Sequence, residues 1–143
     1  MRSNAPILLA EDDEVDVMTI RRAFKELNVT NPLVVVSNGE EALAHLHNLE
    51  AERPCIILLD LNMPRMDGIE FLTIMKDDPD LRRIPVVVLT SSYEEQDRTA
   101  SFDKSVAGYM VKPVDYKQFI EVIRTISLYW TVSELSDENT ASE

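Results

Sequence analysis

The stretch Cys55-Ile56-Ile57-Leu58-Leu59-Asp60-Leu61-Asn62-Met63-Pro64-Arg65-Met66-Asp67-Gly68 constrains the fold of this chain more than any other. Five apolar residues, Cys55 to Leu59, run without interruption into Asp60. A run this short and this apolar reads as a strand covered on both faces, the pattern of a parallel sheet enclosed by helices. Asp60 then falls at the carboxyl end of that strand, where open α/β sheets form their ligand crevice. Three roles are open to a carboxylate there: ligand, nucleophile, or cap on the following loop.

Similar runs flank it. Ile7-Leu8-Leu9-Ala10 ends in Glu11-Asp12-Asp13, and Leu33 to Val36 ends in Ser37-Asn38-Gly39. Ile84 to Leu89 delivers Thr90-Ser91-Ser92, and Ala107 to Val111 delivers Lys112-Pro113. Helical spacing fills the gaps. Val17, Ile20, Phe24 and Leu27 mark a first helix, ended by Asn28 to Pro32, and a second runs from Glu40 to about Leu49. A third, from about Asp67 to Lys76, turns Phe71, Leu72 and Met75 inward, with Asp67 as its cap. Ser91 and Ser92, each with a glutamate three residues on, give the capping-box signature of a fourth helix. That helix is poor in apolar residues, which predicts low local stability.

The last helix, from about Tyr116 to Trp130, is the most apolar. Tyr116, Phe119, Ile120, Val122, Ile123, Ile126, Tyr129 and Trp130 cover about half its circumference, against the ~100° stripe that docking on a sheet requires. The excess predicts a second surface to cover. Ser133 to Glu143 is acidic and nearly devoid of apolar residues, so residues 1–131 are read as one domain and 132–143 as a frayed tail.

Strand and helix alternate five times, the βαβ signature of a doubly wound α/β sheet with helices on both faces. Right-handed crossovers place every strand's carboxyl end on one edge. Glu11, Asp12, Asp13, Asp60, Thr90, Ser91 and Lys112 are thereby expected on that edge. Gly68 and Gly108 are expected to mark tight backbone positions.

Composition narrows the function. With 26 Asp and Glu against 14 Lys and Arg, the net charge of −12 disfavours nucleic acid and anionic membrane surfaces as partners. Cys55 is the single cysteine, which excludes an intrachain disulfide, fits a reducing compartment, and reads as a buried small hydrophobe. No apolar stretch approaches the ~20 residues of a membrane span, and a cytoplasmic location is expected. His45 and His47 stand two apart on a helix and so cannot pair as ligands; a surface role is expected of them.

Glu11, Asp12 and Asp60 converging on one edge repel one another unless a cation intervenes. Mg²⁺ suits such a set, because it accepts one or two carboxylates and keeps places for water and phosphate oxygens. Lys112 supplies a positive charge and Thr90 a hydroxyl, both suited to a phosphoryl group. There is no glycine-rich phosphate cradle, so the phosphoryl donor must arrive on another molecule. Asp60 is the carboxylate best placed as nucleophile, and carboxylates do form aspartyl-phosphates.

Glu11-Asp12, the segment Asp60 to Gly68, Thr90 and Lys112-Pro113 together resemble the receiver domain of two-component response regulators, a likeness covering nearly all of residues 5–131. The resemblance implies a flavodoxin-like five-stranded sheet of order 2-1-3-4-5 with five helices. It implies Asp60 as phospho-acceptor, with Glu11, Asp12, Asp60 and the backbone carbonyl of Asn62 serving Mg²⁺. It also implies Thr90 and Lys112 at the phosphoryl group, a cis Lys112-Pro113 bond, and Tyr109 as an aromatic switch; Asp13, at a variable position, has only an outer role. Ser101-Phe102-Asp103 ahead of Gly108-Tyr109, and the ending Tyr129-Trp130, resemble the Rcp-type regulators that partner bacterial phytochromes. The implied function is a stand-alone, homodimeric signalling protein rather than an enzyme. It would be phosphorylated by a histidine kinase and would signal through its fourth helix, fifth strand and fifth helix.

Two alternatives stand beside it. The first is a Mg²⁺-dependent phosphohydrolase with an aspartyl-phosphate, similar to haloacid-dehalogenase-like enzymes; those use an aspartate two residues after the nucleophile as general acid, where this chain has Asn62, which has no proton to give. A docking domain that is never phosphorylated would not need the acidic set.

Overall fold

The structure, a computed structural model, describes residues 5–90, 106–111, 116–121 and 124. In chain order the elements are β1 (Ile7–Ala10), α1 (Glu14–Glu26), β2 (Leu33–Val36), α2 (Gly39–His47), β3 (Ile56–Asp60), α3 (Gly68–Asp77), β4 (Val86–Thr90) and β5 (Gly108–Val111). Residues 116–121 are helical. The strands form one parallel sheet in the order β2-β1-β3-β4-β5. This is the expected doubly wound, flavodoxin-like α/β architecture; the expected fourth helix lies outside the described residues.

Alternation along each strand divides the core in two. Leu8, Ala10, Ile57, Leu59, Val86 and Val88 pack with Phe71, Leu72 and Met75 of α3 and Ala42 and Leu46 of α2. Ile7, Leu9, Ile56, Leu58, Val87 and Leu89 pack with Ile20, Ala23 and Phe24 of α1 and with Phe119. The Phe24 and Phe119 rings lie 6.0 Å apart, and the Arg22 guanidinium sits 4.8 Å from the Tyr116 ring centroid. Every residue of β1 and β3 is buried, which is why those runs carry no polar residue before their carboxyl ends. Cys55 is a buried thiol at the foot of β3, as expected.

Side-chain caps fix the helix starts. Asp13 accepts the N–H groups of Val15 and Asp16 at α1, and Asn38 accepts that of Glu41 at α2. Asp67 and Glu70 form a reciprocal capping box at α3. At the other end of α1, Asn28 adopts φ 57°, its N–H donates to Lys25 O and that of Val29 donates to Phe24 O. These two bonds make a Schellman closure.

The structure shifts several element boundaries. β4 begins at Val86 rather than Ile84, because Pro85 has no N–H for the ladder and contributes only its carbonyl, to Ile57 N. The second helix starts at Gly39 and ends at His47, and β5 starts at Gly108. Gly108 is not a tight position: a Cβ there would meet Val87 at an ordinary 3.6 Å. His47 is exposed beside Asp78, and His45 on the same helix is half-buried. Among the described residues no helix is long and apolar enough to cross a membrane.

Candidate functional site

Register builds the site. Ala10 pairs with Leu59, so β1 and β3 end level and the next residues, Glu11 and Asp60, are neighbours at the carboxyl edge. Alternation assigns both to the α1 side of the sheet, the row of Leu9 and Leu58. Glu11 stays in line because its N–H still donates to Val36 O of β2.

One carboxylate oxygen each from Glu11, Asp12 and Asp60 falls within 4.8 Å of the other two. Glu11 is 1% and Asp60 2% exposed, whereas Asp12 faces solvent, so two buried acids meet a third at the mouth. Backbone amides orient the buried pair. Asp13 N–H donates to Glu11 Oε1 at 3.0 Å, and Asn62 N–H donates to Asp60 Oδ1 at 3.0 Å.

Charges this close repel by about 3 kcal/mol per pair at an effective dielectric of ~20. The donor set is all oxygen and gathered within 4.8 Å, the kind of ligand that hard divalent cations take. A hard divalent cation therefore fits these residues.

The loop after Asp60 is built for close approach. Gly68 N–H donates to Leu61 O at 3.1 Å, and a Cβ on Gly68 would lie 2.7 Å from both Asp60 O and Leu61 Cα. Glycine is required there, as expected. Arg65 adopts φ 61°, a left-handed conformation unfavourable for an arginine, and its guanidinium lies 4.0 Å from the Glu40 carboxylate at the start of α2.

The remaining expected site residues are placed as follows. Asn62 lies two residues past the end of β3, its N–H on Asp60. Thr90 ends β4, one step past Leu89, the residue that pairs with Asp60; its side chain lies outside the described residues. Lys112 also lies outside them, immediately after the end of β5 at Val111. Tyr109 is half-buried on β5 and packs against the α2 and α3 core, so it belongs to the opposite face of the sheet from the Glu11 and Asp60 row. Asp13 does more than its outer role: it caps α1 and its N–H holds Glu11. The signal for this was an aspartate immediately before the acidic first turn of an amphipathic helix.

Comparison with known proteins agrees with this geometry. The model of the response regulator receiver domain family matches residues 7–124. Response regulator Rcp1 of Synechocystis sp. is 38% identical over 134 residues, covering 90% of this chain and 91% of that protein. The crystal structure of the phosphorylated cyanobacterial phytochrome response regulator RcpA superposes with a TM-score of 0.79 at 38% identity, covering 92% of this chain and 96% of that one. The Mn²⁺-bound form of Rcp1 gives 0.78 at 37% identity, covering 88% and 94%. With its parallel sheet and acidic edge, this chain belongs to the response regulator receiver domain family.

Proposed function

We propose that residues 1–131 form a phosphorylatable receiver in which Asp60 accepts a phosphoryl group from a histidine kinase. The observation that carries this is the burial of Asp60 beside Glu11 and within reach of Asp12 at the sheet's carboxyl edge. In the transfer, an Asp60 carboxylate oxygen forms a bond to phosphorus as the bond to the donor's imidazole nitrogen breaks. Glu11, Asp12, Asp60 and the Asn62 carbonyl would hold Mg²⁺, whose chemistry is neutralisation of the charge gathered on the phosphoryl oxygens. The similarity to a Mn²⁺-bound Rcp1 supports a divalent cation at this edge.

Asn62 N–H keeps the Asp60 carboxylate in one orientation, which is the positioning that phosphoryl transfer depends on. Thr90 and Lys112 are assigned to the phosphoryl oxygens, and Tyr109 to the switch that passes the added charge to the fourth helix, fifth strand and fifth helix. The protein is assigned to the cytoplasm, as a homodimer through its C-terminal strand and helices. The likeness to RcpA and Rcp1 supports a kinase of the phytochrome class as partner.

Incubation with acetyl phosphate and Mg²⁺, beside an Asp60→Asn variant, tests the reading. Stoichiometric label that depends on Asp60 supports it. Continuous phosphate release favours a hydrolase, and absence of label favours a docking role.

A further inference from the structure

We propose that Gly39, on the neighbouring helix α2, is a positioning residue for the acidic site, acting through the loop that carries Asn62. The inference rests on the cation-assisted acceptor reading and adds a residue to it. Gly39 is the first residue of α2, one of the positions whose N–H has no partner within its own helix. That N–H donates to Met66 O at 2.9 Å, tying α2 to the loop between Asp60 and α3. A Cβ on Gly39 would lie 2.8 Å from Met66 O, 2.7 Å from Met66 Cγ and 3.0 Å from Met66 Sδ. The side chain of Met66 can rotate away, but its carbonyl cannot move without the loop.

The loop has little slack to absorb such a shift. It is held at Asp60 by Asn62 N–H, at Leu61 O by Gly68 N–H, and at α3 by the Asp67 cap. Five residues, 62–66, separate the first of these ties from the α2 contact inclusive. Gly39 therefore sets how far the Asn62 segment stands from Asp60. Its neighbour Glu40 supports the same contact by facing Arg65 at 4.0 Å, a long and exposed pair that contributes little.

The test compares wild type, Gly39→Ala and Ala44→Gly, the last being an exposed substitution within α2 that weakens the helix without touching the loop. Mg²⁺ affinity is measured by calorimetry, and amide exchange of residues 61–67 is measured on the cation-free proteins. Gly39→Ala is expected to bind Mg²⁺ about tenfold more weakly. Its 61–67 amides should exchange faster, while Ala44→Gly matches wild type in both. Equal Mg²⁺ affinity in Gly39→Ala and wild type, or an equal loss in Ala44→Gly, overturns the proposal. A wild-type protein that binds no Mg²⁺ overturns the acceptor reading and this inference with it.

Discussion

Glu11 and Asp60 stand side by side at the ends of adjacent parallel strands, 1% and 2% exposed, with carboxylate oxygens within 4.8 Å of each other. Two like charges withdrawn from water at that separation oppose folding, and the sequence retains both. Relieving that repulsion should therefore stabilise the fold.

Asp60→Asn removes one of the charges and keeps an oxygen for the Asn62 N–H. In the presence of a chelator the variant should unfold at a higher temperature than wild type, by the equivalent of about 1–3 kcal/mol. Mg²⁺ should then raise the wild-type midpoint and move the variant's much less. Thermal unfolding with and without the cation checks both. A variant less stable than wild type in chelator contradicts the charge reading of the cluster.

Asp12 and Asp13 are neighbours with separable jobs. Asp13 caps α1 through its side chain, and its backbone N–H donates to Glu11. Asp13→Ala should therefore lower stability by about 1 kcal/mol and leave Mg²⁺ affinity nearly unchanged. Asp12→Asn, exposed and part of the acidic set, should do the reverse. Denaturant unfolding and a cation titration on the same two proteins read the difference.

The left-handed turn at Asn28 gives a prediction remote from the site. Asn28→Gly should be neutral or slightly stabilising, because glycine adopts this conformation at no steric cost. Asn28→Val should cost about 1–2 kcal/mol. Urea unfolding resolves the two, and equal stability would show that the Schellman closure does not bind the end of α1.

Asp78 gives a pH dependence. The Asp80 N–H at 2.9 Å, and more weakly His47 at 3.6 Å, hold the Asp78 carboxyl below the usual carboxylate range. A depressed folded value means that the contribution is present above the unfolded value and is lost as pH falls through the folded one. Asp78→Ala should thus be less stable than wild type at neutral pH. The gap should close as acid is added below about pH 4. Unfolding curves across that range measure it.

The fold was legible because each strand is a short apolar run bounded by polar turns, and burial on both faces leaves few other readings of Cys55 to Leu59. Glu11, Asp12 and Asp60 could be placed on one edge from connectivity alone, since parallel strands end together. The second function of Asp13 was harder to see, because the same residue belongs to an acidic triplet and to a helix start. Gly39 and Arg65 were not legible. One depends on how closely α2 approaches a loop distant in sequence, and the other on a backbone conformation that arginine rarely adopts. Gly108 was misread for the complementary reason: a glycine in a strand signals close packing only when a neighbour stands near, and Val87 leaves room.

The most direct test locates the phosphoryl group. Wild-type protein is treated with acetyl phosphate in Mg²⁺ or in chelator, trapped by reduction of the acyl phosphate, digested, and read by peptide mass spectrometry. The account predicts modification at Asp60 alone and only with Mg²⁺. Modification on another residue, or at Asp60 to the same extent in chelator, would contradict it.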